Sequence, residues 1–350
     1  VKTQAVLFEI MPGKGGGLGM ITLNRPSVLN ALNHDMNLAI RAQLREWALN
    51  PDVKAILVRS VGRAFCAGGD LRFTYEHYAD KSTLENFFYH EYQLNRDIFH
   101  YPKPYIALLD GITMGGGVGL AIHGSYRIAT ERLLFAMPET GIGFFTDVGG
   151  TYFLPRLQGR LGFYLGLSGA RLAFEDCVAL GIATGYVPHD HLEWLTQQLA
   201  DEVFDDPHQS VQRVLNRFYL MPAPGQLLQH QAALEGCFSG DTVENILDAL
   251  RQSEDHFCNT VGEIIKKRSP TSLKVTLLAL QKGKNMDFDS CMTQEYSLAC
   301  HFIQQHDFME GIRAVIIDKD SSPFWQPAHL AEVSSEVVAG YFSGIANLLT

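Results

Sequence analysis

The chain has 350 residues, 46% of them hydrophobic, and a formal net charge of −10. That length can bury a large core in one domain with a smaller helical appendage. The acidic balance, with Lys and Arg interspersed among acids, is the wrong sign for a protein that mainly grips nucleic acid or an acidic membrane surface, so an anionic ligand must be held by local features. The six cysteines, Cys66, Cys177, Cys237, Cys258, Cys291 and Cys300, are scattered with no CxxC pair. They read as small core residues in a reducing compartment. The opening VKTQAVLFEI has no basic region leading into an apolar run, and no stretch is apolar for long enough to span a bilayer. A soluble intracellular protein is expected, cytoplasmic if bacterial and in the mitochondrial matrix if it is a processed eukaryotic chain.

Residues 5–10 and 20–23 are apolar on either side of the glycine-rich stretch 13–19, which predicts a hairpin around a mobile turn. That stretch lacks the Lys-Ser or Lys-Thr of a P-loop and the GxGxxG spacing, so no nucleotide phosphate is expected there. After Asn33, a good N-cap, Met36, Ile40, Leu44 and Trp47 recur at helical spacing until Pro51 stops the element. Residues 55–58 (AILV) then read as a buried strand, followed by a helix over 84–99, a strand over 105–109, a helix after Gly117 and a strand near 126–130. Such alternation predicts an α/β layered fold with crossover connections. Past Gly150 strand signals thin out, and helical patterns cover 161–167, 175–180, 189–200 and 211–218. A Pro- and Gly-containing stretch at 221–225 precedes further helices over 271–281 and 290–304. The expected division is an α/β core with following helices over 1–220 and a mostly helical region over 221–350.

Two glycine turns stand out. Ala64-Phe65-Cys66-Ala67-Gly68-Gly69-Asp70 follows the 55–58 strand, and Asp110-Gly111-Ile112-Thr113-Met114-Gly115-Gly116-Gly117 follows the 105–109 strand. Small residues let a ligand approach the backbone, and a turn entering a helix leaves amide donors unpaired. Either turn alone could merely permit a tight bend. Together on neighbouring strands they could aim two amides at one carbonyl oxygen, as an oxyanion hole does. Glu139 and Asp147 lie eight residues apart in PETGIGFFTDVGG, among Met137, Ile142, Phe144 and Phe145. Apolar surroundings raise a carboxyl pKa and suit it to proton transfer, although either acid could instead cap a helix.

AFCAGGD, GITMGGGVGLA and FAMPETGIGFFTDVGGTYFLPRL resemble the signature segments of the crotonase (enoyl-CoA hydratase/isomerase) superfamily. HEYQLN, KPYIALLDG, SPTSLKVTL and HDFMEGIRAVIIDKD extend the resemblance to its 3-hydroxyisobutyryl-CoA hydrolase branch, over most of the chain. The resemblance implies a crotonase (ClpP/crotonase-like) fold, repeated ββα superhelical turns with a helical C-terminal region. It also implies oxyanion amides from Gly69 and Gly116, with Gly68, Gly115 and Asp70 beside the substrate. Typical hydratases of the superfamily carry a second glutamate two residues beyond the last glycine of the GGG turn, and here that position is Gly119. The hydrolase branch instead has an aspartate where this chain has Asp147, and a substrate-binding glutamate that matches Glu91. On spacing alone Glu91 would be a helix-surface acid.

The resemblance thus implies hydrolysis of 3-hydroxyisobutyryl-CoA, and of shorter esters such as 3-hydroxypropionyl-CoA, a step that serves valine breakdown. Glu139 would attack the thioester or act as base toward water. Asp147 would bind the 3-hydroxyl or assist proton transfer to the thiol. The acyl-CoA is the one small-molecule partner; no nucleic acid, membrane or separate cofactor is expected, and a homo-oligomer is left open. An enoyl-CoA hydratase or isomerase is disfavoured by Gly119, and a non-catalytic acyl-CoA-binding member by the presence of both Glu139 and Asp147.

Other candidates carry less. The 13 histidines form no HExxH and no zinc spacing with cysteine, so no metal is expected. There is no GxSxG nucleophile elbow, and a hydrolase here must use carboxylates. Lys266, Lys267 and Arg268 could meet the phosphates of coenzyme A or form a solvated helix end. Trp325 reads as packing near the C-terminus.

Overall fold

The computed structural model describes residues 4–344. Strand β1 (Val6–Gly13) pairs antiparallel with β2 (Gly16–Leu23) around Lys14 and Gly15. The glycines expected to form a mobile turn are therefore mostly strand. Their missing side chains make room for what packs on the hairpin: a Cβ on Gly19 would lie 2.8 Å from the Trp47 ring, and one on Gly13 1.7 Å from the Ala200 carbonyl oxygen.

From there the chain repeats a unit of long strand, short strand and helix. β3 (Val53–Ser60) leads to β4 (Ala64–Cys66) and the helix Leu71–Glu76; β5 (Tyr105–Leu109) leads to β6 (Ile112–Met114) and the helix Gly116–Ile122; β7 (Tyr126–Ala129) leads to β8 (Leu134–Ala136). With β9 (Leu172–Ala173) and β10 (Gly185–Tyr186), the long strands order as β1-β2-β3-β5-β7-β10 and the short ones as β4-β6-β8-β9. Every pairing in the larger sheet after the hairpin is parallel. This is the ββα winding that the resemblance implied. The short strands went unread in the sequence because two or three residues cannot display a period of two.

The described residues group into two compact units. The first comprises residues 4–69, 93–135 and 172–225, and the second 70–92, 136–171 and 226–344. Residues 70–92 and 136–171 group with the C-terminal helices.

In the first unit, alternate residues of the parallel strands, Leu18 and Met20, Ala55 and Leu57, Ile106 and Leu108, share a core with Leu195, Leu199, Val211 and Val214 of the helices Leu192–Asp201 and Pro207–Leu215. Burying each Leu, Ile or Met here contributes about 1.5–3 kcal/mol. Asn33 caps the helix His34–Leu49 as its position predicted, its side chain accepting the Met36 N–H at 2.9 Å. The second unit is helical, and its helices Leu161–Ser168, Pro270–Gly283 and Phe288–Phe302 fall where the apolar spacing placed them. Ser269 and Asp287 cap the last two, accepting from Ser272 N and Ser290 N. Among the described residues no helix is long and apolar enough to cross a membrane. All six cysteines are free, and five are buried.

Gly117 shows how closely the helix Gly116–Ile122 sits on the small sheet, since a Cβ there would lie 2.1 Å from the Cys66 carbonyl oxygen. Backbone cannot yield as a side chain can, so Gly117→Ala should cost about 2 kcal/mol or more, read as a lower urea midpoint. A wild-type midpoint would show that β4 can move.

Candidate active site

β4 and β6 are parallel neighbours, so the chain leaves both at the same end of the small sheet. It leaves each through glycine in a conformation that side chains resist, Gly68 at φ 116° and Gly115 at φ 48°. A Cβ on Gly68 would lie 3.3 Å from Met114 O and 3.7 Å from Gly116 N, so the two turns are in van der Waals contact. Leu32 donates to Gly68 O at 2.8 Å and bridges to Gly69. Neither the Gly69 nor the Gly116 N–H has an acceptor among the described residues. The structure thus leaves the expected pair of amides available. Asp70 is a capping residue, its Oδ1 accepting the Phe73 N–H at 3.3 Å at the start of the helix Leu71–Glu76.

The acidic residues belong to the second unit. Glu139 opens the 3-10 turn Glu139–Ile142, which ends at Gly143 in the left-handed region, where a Cβ would meet Asp307 O at 2.1 Å. Asp147 follows Thr146, whose hydroxyl donates to Gly166 O at 3.1 Å, and precedes Val148 at φ 50° and Gly149 at φ 82°. Glu91 lies on the helix Lys81–Phe99, along the buried stripe of Leu84, Phe87, Phe88 and Tyr92. It is 2% exposed, which overturns the helix-surface reading that spacing alone supported. An acid on an apolar helical stripe was the available sign. Phe144 stacks on Phe88 at 5.3 Å and packs tilted against Phe308 at 4.4 Å, so aromatic rings back this turn.

Two further groups join these carboxyls that the sequence did not single out. The Tyr92 hydroxyl donates to Asp147 Oδ2 at 2.6 Å. Glu295, fully buried on the helix Phe288–Phe302, accepts Gly149 N–H at 2.7 Å, Thr151 N–H at 3.0 Å and the Thr151 hydroxyl. Its sequence signal was again an acid among buried apolar neighbours, Cys291, Met292, Leu298, Ala299 and Phe302.

Burial without compensating cations governs how these groups titrate. Asp147 is pushed up to about 7 by burial, against the opposing pull of the Tyr92 hydrogen bond. Glu295 is pushed up to about 8 by burial, with its Thr151 and Gly149 hydrogen bonds opposing. Burial and then the Asp147 charge drive Glu139 and Glu91 well above the usual carboxylate range. Glu139 Oε2 and Glu91 Oε1 are buried with no hydrogen-bond partner among the described residues. Orphaned buried oxygens cost about 1–3 kcal/mol each, a cost that a polar ligand could relieve.

The basic run is not one cluster. Lys266 is exposed and pairs with Glu263 at 2.6 Å; Lys267 is exposed, and its carbonyl accepts from the Trp325 indole at 3.0 Å. Arg268 turns inward to Ser168 O at 2.6 Å. Among the described residues no group of three or more His, Cys, Asp or Glu is arranged to hold a metal ion.

The enoyl-CoA hydratase/isomerase family model matches residues 18–342. The mitochondrial 3-hydroxyisobutyryl-CoA hydrolase of Rattus norvegicus is 45% identical over 97% of this chain and 90% of its own length, and that of Homo sapiens is 43% identical over 97% and 89%. The chain belongs to the 3-hydroxyisobutyryl-CoA hydrolase branch of this family. Its fold is the crotonase fold: a solved carnitinyl-CoA dehydratase of Mycobacterium thermoresistibile superposes with a TM-score of 0.91 at 37% identity, covering 99% of both chains. A solved enoyl-CoA hydratase of Rhodobacter sphaeroides gives 0.88 at 34%, covering 97% of both. Within this family fold, Gly119 is buried on the helix Gly116–Ile122 and presents no acid.

The Tyr92 bond lowers the Asp147 pKa, so Tyr92→Phe should move its titration above about 7, by up to about one unit. Carboxyl carbon NMR reads this directly, and an unmoved titration would deny the bond any electrostatic role. The stability consequence has a definite sign. A carboxyl whose folded pKa is raised stabilises the fold below its unfolded value and loses that contribution as pH rises through the folded one. Asp147→Asn should therefore raise Tm at pH 8 more than at pH 4; an equal shift at both would contradict the burial argument.

Proposed function

We propose that this chain hydrolyses 3-hydroxyisobutyryl-CoA to 3-hydroxyisobutyrate and coenzyme A, with 3-hydroxypropionyl-CoA as a second substrate, as a step of valine catabolism. The observation that carries this reading is the buried pair of Glu139, with an unpartnered oxygen, and Asp147, held by Tyr92 and titrating near neutrality, in a chain that has Gly119 in place of a second hydratase glutamate. Addition of water to a double bond calls for two acids there. Thioester cleavage calls for a nucleophile or base and for a proton delivered to sulfur. The relatives' names point the same way.

In this mechanism the Gly69 and Gly116 amides hydrogen-bond to the thioester oxygen as charge develops on it. Burial favours the protonated form of Glu139, so its proton must leave first; once ionised it either attacks the carbonyl carbon, forming an anhydride that water opens, or takes a proton from the attacking water. The carbon–sulfur bond breaks and Asp147, poised near pH 7, supplies the proton that the departing thiolate takes. Glu91 Oε1, buried and unpartnered, hydrogen-bonds to the 3-hydroxyl of the acyl group. The exposed Lys266 and Lys267 attract the phosphates of coenzyme A. The compartment in the relatives' names supports a mitochondrial place for a eukaryotic chain.

Glu139→Gln should lower thiol release from 3-hydroxyisobutyryl-CoA by about a hundredfold or more, measured with a colorimetric thiol reagent. Near-normal release would remove Glu139 from the chemistry, and loss of enoyl absorbance without thiol release would favour a hydratase. Across a panel of esters, Glu91→Ala should reduce the preference for 3-hydroxyacyl over 3-deoxyacyl chains by about tenfold, because an unmatched buried polar contact is costly. An unchanged preference would place the 3-hydroxyl elsewhere.

A further inference from the structure

The turn that carries Asp147 is strained. Val148 sits at φ 50°, a conformation that a β-branched residue resists. Gly149 follows at φ 82° and the helix Gly150–Phe153 begins immediately. Asp147 O accepts Gly150 N–H at 2.8 Å, which closes the turn locally. From outside, one side chain accepts two of the turn's backbone N–H groups. Glu295 Oε2 accepts Gly149 N–H, and Oε1 accepts both the Thr151 N–H and its hydroxyl. The carboxyl group therefore spans the residues next to the strained valine with both oxygens engaged as acceptors.

A carboxyl in this position is a costly choice. Glu295 is fully buried among apolar residues, and capping a helix of four residues requires only one acceptor. Glutamine, nearly identical in shape, would offer one acceptor and one donor, and its donor would oppose the Gly149 N–H. Two acceptors on one rigid group meet the needs of this turn.

We propose that Glu295 is a positioning residue for the hydrolysis: by holding the Val148 to Thr151 turn it sets the direction of the Asp147 carboxyl. This rests on the reading that Asp147 acts in thioester cleavage. Tyr92 fixes the far end of the Asp147 side chain and Glu295 fixes the backbone that carries it.

The test is a double-mutant cycle on the full chain, with 3-hydroxyisobutyryl-CoA as substrate and far-UV circular dichroism as the check on folding. Glu295→Gln should lower kcat about tenfold or more while KM changes less than about threefold, because coenzyme A is bound by other groups. In the Asp147→Asn background the same substitution should cost less than about twofold, since the group it positions has gone. A folded Glu295→Gln variant with wild-type kcat, or an equal fold-loss in both backgrounds, would overturn the inference and leave a structural cap. Should Glu295→Gln not fold, Thr151→Val removes one donor to the same carboxylate; it should lower kcat about threefold, a loss absent beside Asp147→Asn. Unchanged kcat in that variant would overturn the inference equally. Wild-type hydrolysis by Asp147→Asn alone would bring down the underlying reading, a result distinct from any concerning Glu295.

Discussion

Burial of carboxyl groups without cations is the constraint around which the second unit is organised. Glu91, Glu139, Asp147 and Glu295 are all nearly removed from water, and the Asp147 charge raises the cost of ionising each of the other three. A fold tolerates this only where hydrogen bonds distribute the charge. Here Asp147 has the Tyr92 hydroxyl and Glu295 has three donors, whereas Glu91 and Glu139 keep unpartnered oxygens.

The first unit answers to a different constraint, the close approach of backbone to backbone. β4 and β6 lie side by side, and Gly111 before β6, Gly68 after β4 and Gly117 in the helix after β6 each meet a neighbouring carbonyl. Close packing of this kind fixes two amide donors without any side chain taking part. Donors built from backbone keep their direction through a reaction cycle, which is what stabilising a transient oxyanion demands.

Specialisation within the family is written in few positions. The fold is shared with solved structures named as a dehydratase and a hydratase, so fold alone does not choose a reaction. Gly119 leaves its position on the helix Gly116–Ile122 without an acid, and Asp147 lies on a turn whose Val148 and Gly149 both adopt left-handed conformations.

Much of this was legible in the sequence, because local rules govern it. Helical spacing and the Asn33 cap placed the helix His34–Leu49, and the apolar run placed β5 residue for residue. The glycine turns and the PETGIGFFTDVGG segment marked the candidate residues through local composition alone. Three-residue strands are too short to show a period, and the strand glycines 16, 17 and 19 look like a loop until Trp47 and Ile10 are seen packed on them. Only the tertiary structure decided that Glu91 is buried, that Tyr92 bonds Asp147, and that Glu295 holds the turn after it. Those facts join residues up to 146 positions apart, and desolvation depends on what surrounds a carboxyl in space, which no local pattern encodes.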